Sequence, residues 1–473
     1  TFCFEMSCKA LVSAFGLLFV GLFLATWHDI LPPKTPVPVI PEKWFGRGQR
    51  PKVESKEIKP FKIEFSDKQL KDLKSRITSD LERLKDVGIH PLENSAFEYG
   101  MNIDYLINTV APYWLNTYNW KKQEKMLNQI MPQYKTSIDG IDVHFAHIKP
   151  KAKANQKVVP ILIVHGWPGS FVEFTKIIPM LTEMSNEDFI FEVIAPSIPG
   201  YGFSSSPAKQ GFDAIYTAKM FVKLMDRLGH ETFYYQGGDW GSFIGDSLTT
   251  LYPEKVRGLH LNMIAVDTIS ANLKLFVASL VPSLVLEKKD YGKVVPLMDK
   301  LGDLLKETGY MHIQATKPDT VGLALTTSPL GLASYILEKF STWTNKAGRQ
   351  VEDGNLLEFF TMDDLLNNVM VYWINGNIIP SQRYYKENLA GEAYGLLSGV
   401  PIENVPVGLA AFPGELFVQP KNFVTGKYRN LVSYTDMPVG GHFAAYEQPK
   451  LLFSDIVQFV ALVEKNKTNK EEL

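Results

Sequence analysis

One ten-residue stretch, Phe233-Tyr234-Tyr235-Gln236-Gly237-Gly238-Asp239-Trp240-Gly241-Ser242, limits the fold more than any other part of the chain. Its first half is apolar and aromatic, as a buried strand requires. Glycines then flank Asp239, and a segment able to start a helix follows. This spacing predicts a sharp strand-to-helix turn. Side chains at positions 237 and 241 would collide across it, and residue 239 is lifted above the sheet. Asp at the tip, where an esterase has Ser, changes the chemistry. A carboxylate is a poor nucleophile toward esters and amides, but it displaces a leaving group at saturated carbon to give an alkyl ester that water then hydrolyses. Epoxides and alkyl halides are the substrate classes that fit. A glycine-rich turn with a surface Asp is the competing reading until partners for Asp239 are found.

Those partners follow in order. Residues 158–164 are a continuous apolar run, as a strand buried on both faces requires, ending in His165-Gly166-Trp167-Pro168-Gly169. Residues 191–195, 256–263, 407–412 and 431–434 read as further strands, and residues 213–228, 240–251 and 448–463 as helices. A nucleophile at the elbow, then an acid, then a late histidine is the chain order of the α/β-hydrolase fold. Asp239, Glu415 and His442 satisfy it, His442 following two glycines after the last strand. Asp267 is a rival acid, while Asp436 lies too close in sequence to His442 to be favoured. In this scheme the backbone N–H groups of Trp167 and Trp240 form an oxyanion hole. The helix that starts at residue 240 is expected to keep Asp239 ionised through its dipole.

The rest of the chain frames this core. At 473 residues it exceeds one core-sized unit, and 45% apolar residues support a packed globular protein. A net charge of -2 offers no basic surface for nucleic acid. The two cysteines, Cys3 and Cys8, form neither a disulfide framework nor a metal spacing, which fits a reducing compartment. Residues 10–27 carry no charge and are apolar apart from Ser13 and Thr26. A bilayer core needs roughly 17–25 such residues, so this stretch is expected to span as an anchor, with Trp27 at an interface. Lys34, Lys43, Arg47, Arg50 and Lys52 follow it and only Lys9 stands before it, which places the globular part on the cytosolic side. Pro32, Pro33, Pro36, Pro38 and Pro41 read as a semi-rigid spacer.

Ser66 and Gln69 form a capping box, with Phe65 and Leu70 as its hydrophobic staple. Residues 103–130 read as one helix kinked at Pro112, and residues 134–148 as a hairpin about Asp139-Gly140. His144 and His147 have the spacing of a metal pair, but no cysteine or carboxylate nearby in sequence completes a set, so they are read as core-edge histidines. From residue 267 to 400 the strand–helix rhythm is lost and helical patterns take over, as expected of a lid. Its Tyr310, Tyr335, Tyr372, Tyr384 and Tyr385 are each able to donate to an epoxide oxygen as it becomes an alkoxide, and spacing does not choose among them.

Together with the elbow, His165-Gly166-Trp167-Pro168-Gly169-Ser170, Gly309-Tyr310-Met311-His312-Ile313-Gln314, Lys317-Pro318-Asp319-Thr320-Val321-Gly322, Ser381-Gln382-Arg383-Tyr384-Tyr385-Lys386-Glu387-Asn388 and Gly440-Gly441-His442-Phe443-Ala444-Ala445 resemble the microsomal epoxide hydrolase family. That family includes mammalian xenobiotic enzymes and insect juvenile hormone epoxide hydrolases. The resemblance runs from the anchor to about residue 463. It implies Asp239 as nucleophile, His442 as base and Glu415 as its acid partner, with Tyr310 and Tyr385 as the lid tyrosines and Tyr384 as the alternative to Tyr385. It also implies an endoplasmic reticulum anchor facing the cytosol, an apolar epoxide and water as the reactants, and neither cofactor nor metal.

The expected architecture is therefore an α/β-hydrolase fold with a mostly parallel central sheet. The segments are an anchor over residues 1–28, a linker over 29–50, a wrapping N-terminal region over 51–157, core halves over 158–266 and 401–473, and a helical lid over 267–400. Two rivals remain. A haloalkane dehalogenase shares the Asp nucleophile but has no use for paired tyrosines, and an idle membrane-tethered binder has no use for an intact triad.

Overall fold

The computed structural model describes residues 26–27, 37–184, 186–390 and 393–471. The expected anchor, Cys3, Cys8 and most of the proline spacer lie outside the described residues. Among the described residues no single helix is long and apolar enough to cross a membrane.

Among the described residues nine strands form one sheet in the order β1-β2-β3-β5-β4-β6-β7-β8-β9. β1 (Lys59–Phe61), β2 (Gln133–Ile138) and β3 (Ile141–Ile148) make an antiparallel flank. The β2–β3 hairpin turns at Asp139 and Gly140, both with positive φ, as the sequence predicts. β3 joins β5 (Phe189–Pro196) antiparallel, and from there β4 (Lys157–Val164), β6 (Phe233–Gly237), β7 (Val256–Leu261), β8 (Val407–Ala411) and β9 (Leu431–Asp436) run parallel. β6 is buried at every position, which is why its sequence is apolar rather than alternating. β1 is too short to leave a sequence signal.

Register positions the loops. Val164 of β4 lies beside Gly237 of β6, which lies beside Leu261 of β7. The turns after these strands therefore leave the sheet side by side, and the elbow emerges next to residues 165–170.

Helices cover the sheet. The capping box at Ser66 and Gln69 starts α1 (Asp67–Val87), whose Leu73 and Ile77 are buried. The single helix expected over residues 103–130 is irregular before Pro112, where Leu106–Val110 forms a π-helical turn, and it ends after Ala111–Asn116, beyond which Asn119 caps α2 (Trp120–Ile130) by accepting from the Lys122 N–H. A side-chain cap offers the backbone a new start, which outweighs continuing the apolar periodicity. α3 (Ala214–Arg227) and α4 (Trp240–Leu251) follow β5 and β6. Residues 40–45, expected as free linker, pack on α3. Lys219 donates to the Ile40 carbonyl, Glu42 pairs with Lys219 and Lys223, and Phe45 buries its ring edge-on against Phe212.

Between β7 and β8 the chain is helical. α5 (Ile269–Leu280), α6 (Gly309–Thr316), α7 (Pro329–Thr342), α8 (Met362–Asn375) and α9 (Ile378–Leu389) are its main members. α10 (Pro449–Glu471) returns across β7, β8 and β9.

Candidate active site

The elbow forms as its glycines require. Asp239 has φ 47° and ψ −126°, a conformation that non-glycine residues rarely adopt. A side-chain carbon on Gly237 would stand 2.6 Å from the Gly241 backbone, and one on Gly241 would overlap the Val164 carbonyl. Tyr235 Oη donates to the Gly241 carbonyl at 2.6 Å, and Ser242 Oγ to that of Gly237 at 3.0 Å. The strain is held in place by buried hydrogen bonds on both sides.

The Asp239 carboxylate points at residues 165–170. Trp167 N–H donates to its Oδ1 at 2.7 Å, the Trp240 N–H also reaches the carboxyl, and any side chain at Gly166 would overlap it. Burial pushes the Asp239 carboxyl above its ordinary value, while His442 and these two N–H groups pull it down. The helix N-terminus behind Asp239 acts through the Trp240 N–H, which favours the carboxylate, while desolvation is the largest influence and opposes it. α8 fixes the loop from the other side. Asn368 Nδ2 donates to the Pro168 carbonyl at 2.7 Å, Asn368 Oδ1 accepts from Ser170 Oγ at 2.7 Å, and Tyr372 Oη donates to the Gly169 carbonyl at 2.8 Å.

His442 completes the cluster. Its Nδ1–H donates to Glu415 Oε1 at 2.8 Å, and its Nε2 stands 3.6 Å from Asp239 Oδ2, too far for a hydrogen bond. Glu415 also accepts from the Leu416 N–H, and its side chain is fully buried. Burial works against a charged His442, but Glu415 and then Asp239 outweigh it and push the imidazole up to about 9. The rival acids are elsewhere: Asp267 accepts from Asn272, and Asp436 pairs with Lys293.

Three of the five insertion tyrosines are sorted by their hydroxyls. Tyr335 bonds Gln314, Tyr372 bonds Gly169 and Tyr384 shares a hydrogen bond with Thr217. Tyr310, on α6, stacks on Trp167 with ring centroids 4.8 Å apart. Tyr385, on α9, packs edge-on against Trp240 at 4.7 Å and meets Tyr310 at 5.7 Å. The Tyr310 and Tyr385 phenols interact with each other, and burial and the Asp239 charge hold Tyr310 well above its ordinary value. Both are therefore neutral donors at physiological pH.

Sequence reasoning missed several residues here. Asn368 and Trp343 lie in the insertion, where no motif marks them. Trp343 accepts the His442 N–H at its carbonyl and sets its ring against the imidazole. Glu447 binds the Phe443 N–H and, mainly through burial, is pushed up to about 8. Glu173, three residues past the quoted loop motif, lines the cavity shared by Gly166, Trp167, Asp239 and His442. A second cavity opens beside Trp240, between Ile215, Phe243, Met263 and Val266.

Among the described residues, one group has the makings of a metal site: His147, Glu192 and His230. The carboxylate that sequence spacing does not supply comes from β5, while His144 instead bonds Ser197 and Gln133. His147 and His230 hold the Glu192 carboxyl well below its usual range. Glu192 is level with Pro160 and the elbow begins level with Val164, so about 13 Å of strand separates this group from the elbow.

An elbow aspartate facing two backbone N–H groups, with a histidine–glutamate pair behind it, defines an α/β-hydrolase of the aspartate-nucleophile class. Comparison with known proteins specifies the family. Residues 58–174 match the model for the epoxide hydrolase N terminus, and residues 159–393 match that for the alpha/beta hydrolase fold. The chain is 48% identical over 431 residues to epoxide hydrolase 1 of Oryctolagus cuniculus, covering 89% of this chain and 93% of that protein. It is 47% identical to juvenile hormone epoxide hydrolase 2 of Ctenocephalides felis, covering 90% of each. The crystal structure of juvenile hormone epoxide hydrolase from Bombyx mori superposes with a TM-score of 0.85 at 41% identity, over 90% of this chain and 99% of that one. The chain belongs to the microsomal-type epoxide hydrolase family, and it is an epoxide hydrolase.

Proposed function

We propose that the chain opens apolar epoxides in two covalent steps. Tyr310 and Tyr385 hydrogen-bond the epoxide oxygen while Asp239 attacks a ring carbon. The ring C–O bond breaks, the alkoxide takes a phenolic proton, and a hydroxyalkyl ester forms on Asp239. His442, oriented by Glu415, then takes a proton from water as the water oxygen bonds to the ester carbonyl carbon. The Trp167 and Trp240 N–H groups hold the resulting oxyanion. Collapse breaks the acyl–oxygen bond. The leaving oxygen takes the proton from His442, the second water proton restores the phenol, and the vicinal diol departs. The paired tyrosines favour an epoxide over a halide, which departs without a proton.

The insertion between β7 and β8 acts as the lid, supplying both phenols. The cavity beside Trp240 is walled by Ile215, Phe243, Met263 and Val266 and suits the apolar remainder of the substrate, whether terpenoid or aryl. Residues 10–27 anchor the enzyme in the endoplasmic reticulum membrane with the site on the cytosolic side. Supporting this reading, Trp27 packs against the small apolar cluster that includes Ala278, Val285 and Phe423, as do Leu275 and Val277 of α5, and the same helix exposes Ile269, Phe276 and Leu280.

The observation that carries the mechanism is the Asp239–His442–Glu415 geometry beneath two phenols. Its test is the intact mass of the His442→Gln variant mixed with an excess of stilbene oxide. An adduct of one epoxide mass on the peptide containing Asp239 is expected, absent in Asp239→Ala, which also forms no diol. Substantial diol from Asp239→Ala rejects the scheme.

A further inference from the structure

Glu173 sits in the short helical turn Phe171–Thr175 that follows residues 165–170. Its neighbours Phe171, Val172 and Phe174 are buried in the core, so the turn is fixed by packing. Its carboxyl folds back over Gly169, so closely that a side chain there would overlap Oε2. It thereby enters the cavity lined by Gly166, Trp167, Asp239 and His442. Ordinary structural reasons for a carboxylate in such a place are missing. Among the described residues it caps no helix and pairs with no lysine or arginine, and burial, His442 and Asp239 are the influences that act on it. Burial pushes it up to about 8, so it is a neutral acid at physiological pH. An inward-facing polar group with no protein partner is costly unless something else occupies its hydrogen bonds.

The reaction supplies that partner. The hydrolytic water has two hydrogens, and only one passes to His442. The 3.6 Å gap between His442 Nε2 and Asp239 Oδ2 is where this water must approach the ester carbon. Glu173 borders the same space. We propose that Glu173 is a water-positioning residue: its carboxyl oxygen accepts the water hydrogen that His442 does not take, fixing the attacking lone pair on the Asp239 carbonyl carbon. This rests on the two-step reading above and concerns its second step alone. No proton is transferred to Glu173, so the balance of that step is unchanged.

The test separates the half-reactions in the full-length enzyme. Trp167 and Trp240 flank Asp239, so their fluorescence follows formation and decay of the ester with stilbene oxide. Glu173→Leu is expected to slow ester hydrolysis ~10–10²-fold while alkylation changes less than about threefold. Glu173→Gln keeps an acceptor oxygen and recovers most of the hydrolysis rate. Glu173→Asp, which withdraws the carboxyl by one methylene, falls between them and serves if the leucine variant does not fold. Normal hydrolysis in all three variants, an equal fall in both half-reactions, or equal losses for Gln and Leu would overturn the role. Ester that accumulates and decays normally in these variants removes the role of Glu173 alone. Absence of any ester in the wild type removes the two-step reading along with it.

Discussion

His442 faces Glu415, Asp239 and Glu173, and its charge depends on all of them. With its pKa raised from 6.5 to about 9, the resting imidazole is protonated at neutral pH and cannot act as a base. Alkylation lowers this value, because the Asp239 ester is neutral and one of the charges favouring the imidazolium is gone; Glu415 still favours it, and the proton His442 sheds passes to solvent before water attacks. The sign follows for stability too. The pairing stabilises the fold fully below the unfolded-state value and is lost as pH rises through about 9. An Asp239→Asn variant mimics the neutral ester. Its His442 midpoint, followed by NMR, is expected to fall below the wild-type value, and an unchanged midpoint would show that Asp239 contributes nothing to the raised pKa. At this scale the sequence was informative wherever a residue type carries the chemistry by itself. Asp239, Glu415 and His442 could be placed from chain order, and the structure brings them together. Adjacent tyrosines could not be separated, because Tyr384 and Tyr385 differ only in which way a helix turns them: one hydroxyl meets Thr217, the other ring meets Trp240.

Among the elements, α8 links the insertion to the elbow. Its Thr361–Asp364 capping box and the Lys176–Asp364 ion pair fix its first turn, and Asn368 and Tyr372, one helical turn apart, grip the three carbonyl and hydroxyl groups of residues 168–170. Asn368→Ala leaves the buried Pro168 carbonyl and Ser170 hydroxyl without partners. A loss of about 2 kcal/mol in unfolding free energy is expected. Because the Trp167 N–H shifts with the loop, kcat should also fall ~10-fold or more. Loss of stability with kcat intact would mean that the loop holds its shape without α8. Strands and capped helices were legible, since buried runs and Ser66–Gln69 are local signals. The gripping face of α8 was not, because a long insertion of apolar helices has several apolar faces and periodicity does not say which one meets the core. The break before α2 escaped for the opposite reason: Asn119 is a strong cap inside a pattern that otherwise continues.

For the whole molecule, composition excluded nucleic acid but did not reveal a directional surface. A net charge of -2 is spread over the chain, whereas the exposed apolar side chains Phe276, Leu280, Val281 and Leu284 gather along α5 and the turn after it, beside Trp27. In sequence these positions look like ordinary core, and only the fold shows that nothing among the described residues covers them. α5 also begins just after Val266 and Asp267, which line the cavity beside Trp240, so this apolar face lies near that cavity. If, under the proposed anchoring of residues 10–27, this face rests on a bilayer, an epoxide dissolved in lipid reaches the cavity without crossing water. Each large side chain buried there is worth about 1.5–3 kcal/mol, so three removed together should weaken docking measurably. The full-length Phe276→Ser, Leu280→Ser, Leu284→Ser variant in nanodiscs is expected to show a KM for a strongly partitioning terpenoid epoxide raised ~3–10-fold, the range set by partial loss of apolar burial. Kinetics on a freely water-soluble epoxide should stay unchanged, because none of the three side chains touches Asp239 or its partners. Equal effects on both substrates would trace the change to the folded core, and no effect on either would show that this face plays no part in substrate access.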